Sequence, residues 1–470
     1  MNNGNGTKEI VILGSGSTAF AAALRAQAKG AQPIMIEKSV LGGTCINWGC
    51  IPSKTLIHSA LLRHGAERGE RLGLGTRLGD VNFAPLDAHK TAVVEELRHT
   101  KYLNVLKNVP GLTLIRGNAV FLSPDTLQVG ERVIKGNRFL IATGGFPRVP
   151  AIPGLERVPY LTSKSALQLK QLPSQLTIIG GGVIALELGQ MFLRLGVKVT
   201  VLEHSGRLLP AVEAEAAMAL QEALIAEGMQ VVTGVAVCSV APDGDDIVID
   251  TLYRGEQRRF RTRQLLVAVG TAPASKGIGL EAAGVEVDQR GFIKIDAELR
   301  TTAPGIWAAG DVTGGNQIAT KGAREGIAAV DNMLEGCRCS VDYLSIPMAI
   351  FTDPEIGTVG YSEEAARQAG FDVISHSIDA STIPKAHVTG DLRGAIKIVA
   401  DNATGRILGV HLCLHRGADV INEAAICVKM GMTVGQLAET QHVYPSIGEG
   451  LRLCAQAFRR DLDRLSCCAE

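Results

Sequence analysis

The sequence predicts an α/β fold built on two similar strand–turn–helix–strand units, with a further domain after them. The first unit centres on the turn Gly14-Ser15-Gly16-Ser17-Thr18-Ala19, and the second on Gly180-Gly181-Gly182-Val183-Ile184-Ala185. Each turn follows an apolar run and precedes a helix-forming segment, which is the context that a G-x-G-x-x-G/A dinucleotide fingerprint requires. The length of 470 residues suggests about three domains of ~150 residues each.

Composition narrows the class of protein further. Hydrophobic residues make up 46% of the chain and charged residues 20%, and the formal net charge is zero. These values indicate a well-packed globular protein and give no basic patch that would favour a nucleic-acid partner. The most apolar segment, Leu176–Leu202, contains Glu187 and Arg194, so we expect no membrane span. The cysteines lack the spacing of a secreted disulfide scaffold, and we expect a cytoplasmic protein.

The first unit reads as a complete dinucleotide-binding motif. A buried strand is predicted over Glu9–Leu13, a helix follows the turn to about Lys29, and a second strand covers Pro33–Ile36. Gly14, Gly16 and Ala19 would let backbone N–H groups and the helix N-terminus face a pyrophosphate. Glu37, at the end of the second strand, is placed to accept hydrogen bonds from ribose hydroxyls.

The second unit repeats this arrangement. A strand is predicted over Leu176–Ile179 and another over Val197–Leu202, with Gly180 and Gly182 in the turn and Glu203 at the end of the second strand. Two such units indicate two dinucleotides, of which one can be a flavin and the other a nicotinamide. A third apolar strand, ending in Ala308-Ala309-Gly310-Asp311, predicts a further ribose or ribityl contact from Asp311.

Two cysteine pairs carry the redox chemistry that the sequence predicts. Cys45 and Cys50 lie in the glycine-rich segment Gly42–Lys54, just after the first fingerprint, and suggest a redox disulfide beside a cofactor. Cys467 and Cys468 form a vicinal pair two residues before the last one. Thiolates select soft metal ions, so this second pair suggests a ligand set that brings such an ion to the first.

Together these motifs resemble the flavin-dependent pyridine nucleotide-disulfide oxidoreductases over nearly the whole chain. The resemblance implies that FAD binds the first unit and NAD(P)H the second, and that an α+β C-terminal domain dimerises and completes each active site from the partner subunit. The implied FAD domain covers 1–149 and 271–341, the NAD(P)H domain 150–270, and the dimerisation domain 342–470 with the cysteine tail.

The resemblance also implies roles for individual residues. Cys50 is the flavin-proximal thiolate, Cys45 is the sulfur that exchanges with substrate, and Lys54 pairs with Glu187 beside the flavin ring. The further FAD contacts that it implies are Gly43, Thr44, Lys54, Thr143, Gly144 and Asp311.

One departure from the family pattern bears on the substrate. Members that reduce organic disulfides carry a His-Pro acid–base motif near the C-terminus, with a Glu four residues after the Pro. Here Tyr444 occupies the His position, Glu449 is kept, and His442 lies two residues before Tyr444. A phenol with a pKa near ~10 is a poor proton shuttle at neutral pH. Disulfide reduction is therefore disfavoured, and a soft metal ion fits better.

Tyr444 and the Cys467-Cys468 tail resemble the branch of the family that reduces Hg(II). That resemblance implies electron transfer from NADPH through FAD to Hg(II) delivered by small thiols, with Hg(0) as product. Cys45, Cys50, Cys467 and Cys468 would all be metal ligands. The alternatives are a dihydrolipoamide dehydrogenase- or thioredoxin reductase-like enzyme, and a thiol protein that sequesters metal without turnover, although sequestration would not need two dinucleotide units.

The nicotinamide and the remaining cysteines leave alternatives open. The resemblance and Ala185 favour NADPH, with His204 and Arg207 placed to meet a 2′-phosphate, whereas Glu203 is the acid that usually reads the 2′-hydroxyl of NAD, so NADH is possible. Packed thiols are predicted in apolar segments, at Cys238, Cys413, Cys427 and Cys454. Cys337-Arg338-Cys339 is a C-x-C whose spacing alone gives little support for metal binding.

Overall fold

The structure is a computed structural model that describes residues 9–460. Within this range, no helix is both long enough and apolar enough to cross a membrane. The chain divides into two compact units. Among the described residues, the first comprises 9–55, 84–148 and 270–341, and the second 56–83, 149–269 and 342–460. The first unit follows the predicted FAD domain closely, except for 56–83. The second holds the other two predicted domains together, and the three-domain division stays a prediction.

The strands are short and most of them are buried on at least one face. In chain order they are β1 Glu9–Leu13, β2 Gln32–Glu37, β3 Thr113–Arg116, β4 Ala119–Ser123, β5 Thr126–Val129, β6 Arg132–Lys135, β7 Phe139–Ile141, β8 Gly145–Pro147, β9 Tyr160–Leu161, β10 Gln175–Ile179, β11 Lys198–Glu203, β12 Gln230–Thr233, β13 Val235–Asp243, β14 Asp246–Tyr253, β15 Glu256–Thr262, β16 Gln264–Val267, β17 Thr271–Pro273, β18 Ile306–Ala308, β19 Met348–Ile350, β20 Glu355–Gly360, β21 Val373–Asp379, β22 Ala395–Asp401 and β23 Ile407–Leu414.

The helices alternate with these strands in the dinucleotide units and cluster near the C-terminus. In chain order they are α1 Ser17–Ala28, α2 Gly43–Trp48, α3 Cys50–Arg71, α4 Phe83–Arg98, α5 Asn104–Asn108, α6 Ser163–Ala166, α7 Val183–Arg194, α8 Ala214–Ala226, α9 Leu280–Ala283, α10 Ala319–Glu335, α11 Glu363–Gln368, α12 Pro384–Thr389, α13 Gly417–Met430, α14 Val434–Glu439 and α15 Glu449–Gln456.

The first unit is organised around a parallel sheet in the order β18-β7-β1-β2-β3. Its central strand, β1, reads Glu-Ile-Val-Ile-Leu and is buried from its second residue, as expected for a strand covered on both faces. A core on one side includes Val11, Leu13, Phe139 and Ile141. An antiparallel sheet, β4-β5-β6, and the pair β8–β17 complete the unit. Because parallel strands end at one edge, the segments after β1, β7 and β18 lie side by side there.

The second unit contains a second parallel sheet and a large antiparallel sheet. The parallel sheet has the order β12-β11-β10-β16-β9, and β13-β14-β15 form an antiparallel sheet in the same segment. The C-terminal part folds as the antiparallel sheet β19-β20-β23-β22-β21, packed with α13, α14 and α15 around a core that includes Ile396, Leu412 and Leu451. The predicted α/β fold with an α+β C-terminal domain is therefore confirmed.

A buried ion-pair network joins the parallel and antiparallel parts of the second unit. Arg194, at the end of α7, pairs with Glu227 and Asp353, with 2.7 Å between nitrogen and oxygen in each pair. Arg393 reaches the same carboxylates, at 2.8 Å from Glu227 and 3.4 Å from Asp353. A hydrogen bond with His415 and the charges of the two guanidinium groups hold the pKa of Asp353 well below its usual range despite its burial. The carboxylates of Glu227 and Asp353 are therefore neutralised by arginines, which explains why they cluster without a metal ion.

The predicted dinucleotide elements lie where the sequence places them. The strand Glu9–Leu13 is found with the same bounds, and the predicted helix ends at Ala28, one residue before Lys29. The strands predicted over Leu176–Ile179 and Val197–Leu202 are found over Gln175–Ile179 and Lys198–Glu203.

Candidate active site

The first glycine-rich turn exposes backbone N–H groups at the N-terminus of α1. Gly14 has a φ of 115°, and a Cβ there would lie 2.3 Å from the carbonyl oxygen of Ala142. Gly16 is the N-cap of α1, and no side chain caps this end of the helix. Ala19 is completely buried beneath it. The free N–H groups and the helix dipole together suit a pyrophosphate.

Glu37 ends β2 and is held by the turn that it faces. The Ser15 hydroxyl donates a hydrogen bond to its Oε2, and the backbone N–H of Ser39 donates to Oε1 at 2.6 Å. Each carboxylate oxygen can accept a second donor, so a ribose hydroxyl remains compatible with this position. Ser15 is itself buried and also accepts a hydrogen bond from the N–H of Gly42, 3.3 Å away. Sequence reasoning missed this role of Ser15.

The segments after β7 and β18 provide polar groups at the same sheet edge. Among the described residues, the buried hydroxyl of Thr143 has no hydrogen-bond partner. Gly144 has a φ of 76°, and a Cβ there would meet nothing within 4 Å. Burial raises the pKa of Asp311, although Lys321 opposes the shift. An unsatisfied buried hydroxyl beside open space and a carboxylate fits a polar cofactor at this edge.

A buried ion pair that the sequence analysis missed supports the loop carrying Asp311. The Lys321 Nζ lies 3.0 Å from Oε1 of Glu325 and donates to the carbonyl of Gly314 at 2.8 Å. Oε2 of Glu325 accepts a hydrogen bond from the N–H of Gly310 at 2.7 Å. The i, i+4 spacing of Lys321 and Glu325 was visible in the sequence, but their burial was not.

The thiol segment places its two cysteines at two helix starts. Helix α2 begins at Gly43, so Thr44 and Cys45 lie in its first turn, and Cys50 is the first residue of the 22-residue helix α3. Gly49 joins the two helices, and a Cβ there would lie 2.9 Å from the carbonyl oxygen of Thr44. The positive end of a helix dipole stabilises a thiolate, so the position of Cys50 favours its charged form.

The two thiols lie close enough to influence each other's protonation. Neither Cys45 nor Cys50 is in a disulfide, and both are partly buried. The pKa of Cys45 is raised, first by its hydrogen bond with Cys50 and then by burial, and Lys54 partly opposes the shift. The hydrogen bond with Cys50 and burial thus favour the protonated form of Cys45. This arrangement agrees with the predicted roles, which stay predictions.

Further side chains that the sequence analysis missed surround the thiols. The pKa of Tyr102 is raised by burial and by the negative charge of the cysteine pair, and its ring stacks edge-on against Phe20 with centroids 4.8 Å apart. Asn47 donates to the carbonyls of Leu41 at 2.9 Å and Gly43 at 2.8 Å. Its own carbonyl oxygen accepts from Arg98 at 3.2 Å. These contacts fix the start of α2, and nothing in the local sequence pattern indicated them.

The second glycine-rich turn repeats the geometry of the first. Gly180 has a φ of 109°, and a Cβ there would lie 2.5 Å from the carbonyl oxygen of Ala268. Gly182 is the uncapped N-cap of α7, and a Cβ on it would meet nothing within 4 Å. Ala185 is completely buried. This turn also suits a pyrophosphate.

The residues predicted to select the nicotinamide are engaged with the protein. Glu203 accepts hydrogen bonds from the N–H groups of Gly181 and Ser205, the latter at 2.6 Å. Arg207 donates to three backbone carbonyls at 2.8–2.9 Å, those of Leu209, Pro210 and Val212. Arg207 therefore holds its loop, while His204 is exposed at the strand end. A 2′-phosphate contact from Arg207 stays a prediction.

Glu187 lies in the second unit and is buried on α7. Its Oε1 accepts a hydrogen bond from the N–H of Phe351 at 2.9 Å, which anchors the segment before cis-Pro354. Lys54 belongs to the first unit. The ion pair between Lys54 and Glu187 stays a prediction.

Near the C-terminus, Glu449 is buried, and its Oε1 accepts from Arg452 at 2.7 Å. Among the described residues, its buried Oε2 has no hydrogen-bond partner. Tyr444 is 48% exposed in the single chain. His442 lies 2.7 Å from Oε1 of Glu423 through Nε2 and 3.0 Å from the carbonyl of Thr440 through Nδ1. Its pKa is raised, chiefly by the hydrogen bond with Glu423.

The structure describes all of the other cysteines except the two in the C-terminal tail. Cys467 and Cys468 lie outside the described residues. Three of the predicted packed thiols, Cys413, Cys427 and Cys454, are buried. The prediction for Cys238 is wrong, because the register of β13 shifts between Val237 and Ser239 and leaves this side chain exposed. Cys337 and Cys339 form a disulfide.

These features are those of a dinucleotide-dependent dithiol oxidoreductase. They comprise two glycine-rich turns at parallel sheet edges, a cysteine pair at two helix starts and an antiparallel C-terminal sheet. Two family profiles match the chain. The pyridine nucleotide-disulphide oxidoreductase profile covers residues 8–330, and the dimerisation domain of the same family covers 346–455.

Individual relatives agree with this assignment. A mercuric reductase of Bacillus cereus is 41% identical over 468 residues, spanning 100% of this chain and 74% of the relative. A mercuric reductase of Streptomyces lividans is 38% identical over 467 residues, spanning 98% of each chain. The solved Cu(II) complex of the HOCl-induced flavoprotein disulfide reductase RclA from Escherichia coli is similar in structure. It has a TM-score of 0.84 at 32% identity, and the match covers 96% of this chain and 99% of that one.

The chain belongs to the pyridine nucleotide-disulphide oxidoreductase family. It is an NAD(P)H-dependent flavoprotein oxidoreductase, and its cofactors are FAD and NADPH. The described residues fit both groups, because each turn leaves uncapped helix N–H groups, and the first unit adds the unsatisfied Thr143 hydroxyl.

Proposed function

We propose that this protein reduces thiol-bound Hg(II) to Hg(0), with NADPH as the electron source and Cys45 and Cys50 as the ligands of the reacting ion. The observation that carries the proposal against other activities of the family is the pair Tyr444 and Glu449. A tyrosine stands at the acid–base position, and Glu449 pairs through Oε1 with Arg452 of its own helix. This supports a substrate that needs electrons and soft ligands but little proton transfer. The curated relatives described above are named mercuric reductases.

The cysteine pair performs ligand exchange in this proposal. Hg(II) arrives as a complex with two small thiols, written Hg(SR)₂. The Cys50 thiolate attacks the ion and displaces one RS⁻, and Cys45 then displaces the second, so that the two cysteines hold the ion. The proton of Cys45 leaves with a departing RS⁻ as RSH. Burial and the hydrogen bond with Cys50 hold that proton on Cys45 until the first exchange has occurred.

Reduction and release follow at the same sulfurs. FAD, when bound, supplies the two electrons that it receives as hydride from NADPH. The thiolates of Cys45 and Cys50 keep the ion in place and return to their free form when neutral mercury departs. No proton is needed at the metal, so the absence of a histidine at position 444 has little cost for this reaction.

The remaining residues have supporting roles. Lys54 favours the thiolate form of the pair through its charge. Tyr444 and the vicinal pair Cys467 and Cys468 act across a homodimer, where the tail takes Hg(II) from small thiols and passes it inward. A cytoplasmic location, where reduced thiols are abundant, suits this delivery. The dimerisation domain supports the homodimer.

His442 does not restore the missing acid–base group. Both ring nitrogens already lie within hydrogen-bonding distance of protein oxygens, those of Glu423 and the Thr440 carbonyl. With both nitrogens engaged, the ring has none left to exchange a proton with a substrate sulfur. This argues against a dihydrolipoamide dehydrogenase- or thioredoxin reductase-like activity, while the two cofactor turns argue against mere metal sequestration.

An anaerobic titration tests the proposal. The holoenzyme is titrated with NADPH with and without Hg(II) in excess thiol, while flavin absorbance and released Hg(0) are measured. We expect Hg(II) to reoxidise the flavin with one Hg(0) per NADPH, and lipoamide and glutathione disulfide to act negligibly. Robust reduction of either disulfide without Hg(0) production would contradict the proposal.

A second experiment tests the tail. Replacing Cys467 and Cys468 by alanine should impair turnover of Hg(II) held by glutathione in excess far more than flavin reduction by NADPH. Cys238→Ser is the matched control, because Cys238 is exposed, whereas replacing the buried Cys413 or Cys427 would disturb packing. Unchanged turnover in the tail variant would remove the tail from the mechanism.

A further inference from the structure

The C-x-C segment after α10 is a built loop that the reaction at Cys45 and Cys50 does not use. Helix α10 ends at Glu335 and is capped by Gly336 in the left-handed conformation. Cys337 follows at once and is exposed, and Cys339 is partly buried two residues later. Arg338 between them has a φ of 52°, which turns the chain so that the two side chains meet. Their Cα atoms are 5.4 Å apart.

A buried asparagine on α10 holds this loop in place. Asn332 is 8% exposed, and its Nδ2 donates to the carbonyls of Cys339 and Glu298 at 2.9 Å each. Its Oδ1 accepts from the N–H of Cys339 at 2.7 Å. The sulfur of Cys337 lies 3.4 Å from the same Oδ1, so a reduced Cys337 thiol can donate to it. Both polar atoms of the Asn332 side chain therefore bond to the cysteine loop, and Nδ2 also ties it to the carbonyl of Glu298.

The disulfide contributes little to the stability of the fold. The two cysteines are separated by only two positions, so the loop that they close is very short. Cross-links stabilise mainly by removing loop entropy from the unfolded chain, and that gain falls with loop length. The same pair, when reduced, places two thiols side by side just after a 17-residue helix. The neighbouring guanidinium of Arg338 favours the thiolates.

We propose that Cys337 and Cys339 form a redox-gated surface site for soft thiophilic cations such as Hg(II), separate from the Cys45–Cys50 site. The reduced pair binds one ion through two thiolates, because such ligands select soft metals. The oxidised pair has no thiolate to offer and binds none. The site holds the ion without reducing it and extends the capacity of the protein beyond the reaction already proposed.

The chemistry balances with small thiols as the only co-reactant. Two RSH reduce the disulfide by thiol–disulfide exchange, which gives two cysteine thiols and one RSSR. Hg(SR)₂ then exchanges both ligands with the pair, so two cysteine–mercury bonds form, two RS–mercury bonds break, and the two cysteine protons leave as RSH. Rotation about χ1 separates the sulfurs from bonding distance and makes room for the ion.

Native mass spectrometry of the holoenzyme tests the proposal. The protein is reduced with glutathione, loaded with the bis-glutathione complex of Hg(II) without NADPH, and washed with excess glutathione. Wild type should retain one more mercury than the double variant Cys337→Ser/Cys339→Ser. The exposed single cysteine provides the matched control, and Cys238→Ser should retain the wild-type number. Wild type oxidised with a mild disulfide-forming reagent, and checked by alkylation of the peptide 337–339, should retain one ion fewer.

A second measurement keeps this proposal separate from the proposed function. The double variant should turn over Hg(II) with NADPH at the wild-type rate, because the site lies outside the reaction. Equal mercury retention by wild type and the double variant, with normal flavin absorbance in both, would overturn the proposal while leaving the reductase activity untouched. Persistence of the disulfide in millimolar glutathione would overturn it as well. Where the double variant loses flavin, Asn332→Ala serves instead and should weaken retention at least tenfold.

Discussion

Replacing Lys54 by methionine should raise the pKa of the Cys45–Cys50 pair and deplete the reactive thiolate at neutral pH. Lys54 lies one turn beyond Cys50 in α3, at the i+4 position. Its charge lowers the pKa of Cys45, against the hydrogen bond and the burial that raise it. Methionine keeps the length and the apolar stem of the side chain and removes the ammonium group.

The magnitude follows from Coulomb's law. At an effective dielectric constant of about 20, two unit charges ~6 Å apart interact by roughly 3 kcal/mol, and one pKa unit corresponds to about 1.4 kcal/mol. Lys54 is only partly buried, so solvent screening removes about half of that energy. We therefore expect the pKa of the thiol pair to rise by about one unit. Loss of a cation disfavours the thiolate, so the shift is upward.

The long-wavelength thiolate-to-flavin band of the two-electron-reduced holoenzyme provides the assay. Its intensity is measured against pH under anaerobic conditions for wild type, Lys54→Met and Lys54→Arg. The midpoint should rise by about one unit in the methionine variant and stay within a few tenths of a unit in the arginine variant. A midpoint that is the same in all three proteins would refute the electrostatic role of Lys54.

Three further outcomes are expected. Cys50→Ala should abolish the thiolate-to-flavin band and Cys45→Ala should keep it, as absorbance of the reduced enzymes will show; the opposite pattern would reverse the assignment. Tyr444→Phe should lower Hg(II) turnover about tenfold, the value of one lost polar contact, without slowing flavin reduction by NADPH in stopped-flow traces. Lys397 is 8% exposed between three carboxylates, including Glu363 at 2.8 Å, so Lys397→Met should cost about 2–4 kcal/mol of stability near neutral pH. Because Lys397 and its neighbours lower the pKa of Glu363 to about 2, this deficit should shrink in thermal unfolding as the pH falls from about 4.5 toward 2, and a deficit independent of pH would contradict the ion-pair explanation.

The sequence predicted the dinucleotide units well because their signals are local. A glycine-rich turn needs the left-handed conformation of Gly14 or Gly180 and an apolar strand on each side, and all of this is written within about thirty residues. The buried ion-pair network of the second compact unit could not be predicted from the sequence. Arg194, Glu227 and Asp353 are far apart in the chain, and only the fold brings them into one buried network.

The site was predictable where one residue type is required and not where packing decides. The two cysteines of the thiol segment were recognisable, but Tyr102 and Asn47 belong to no motif, and their importance comes from proximity to Cys45 and α2. The exposure of Cys238 was mispredicted because a β-bulge reverses the side-chain alternation on which the prediction relied.

The two acidic residues at the strand ends show how a motif can combine structure with recognition. Glu37 accepts from Ser15 of its own turn and from the N–H of Ser39, and Glu203 accepts from the N–H groups of Gly181 and Ser205. In both dinucleotide motifs, the carboxylate already accepts hydrogen bonds from its own glycine-rich turn, without any donor from a cofactor. The acid is therefore needed by the turn itself, whichever nicotinamide binds there. For that reason Glu203 does not argue against NADPH, and the choice of nicotinamide depends on the residues that follow it in the loop.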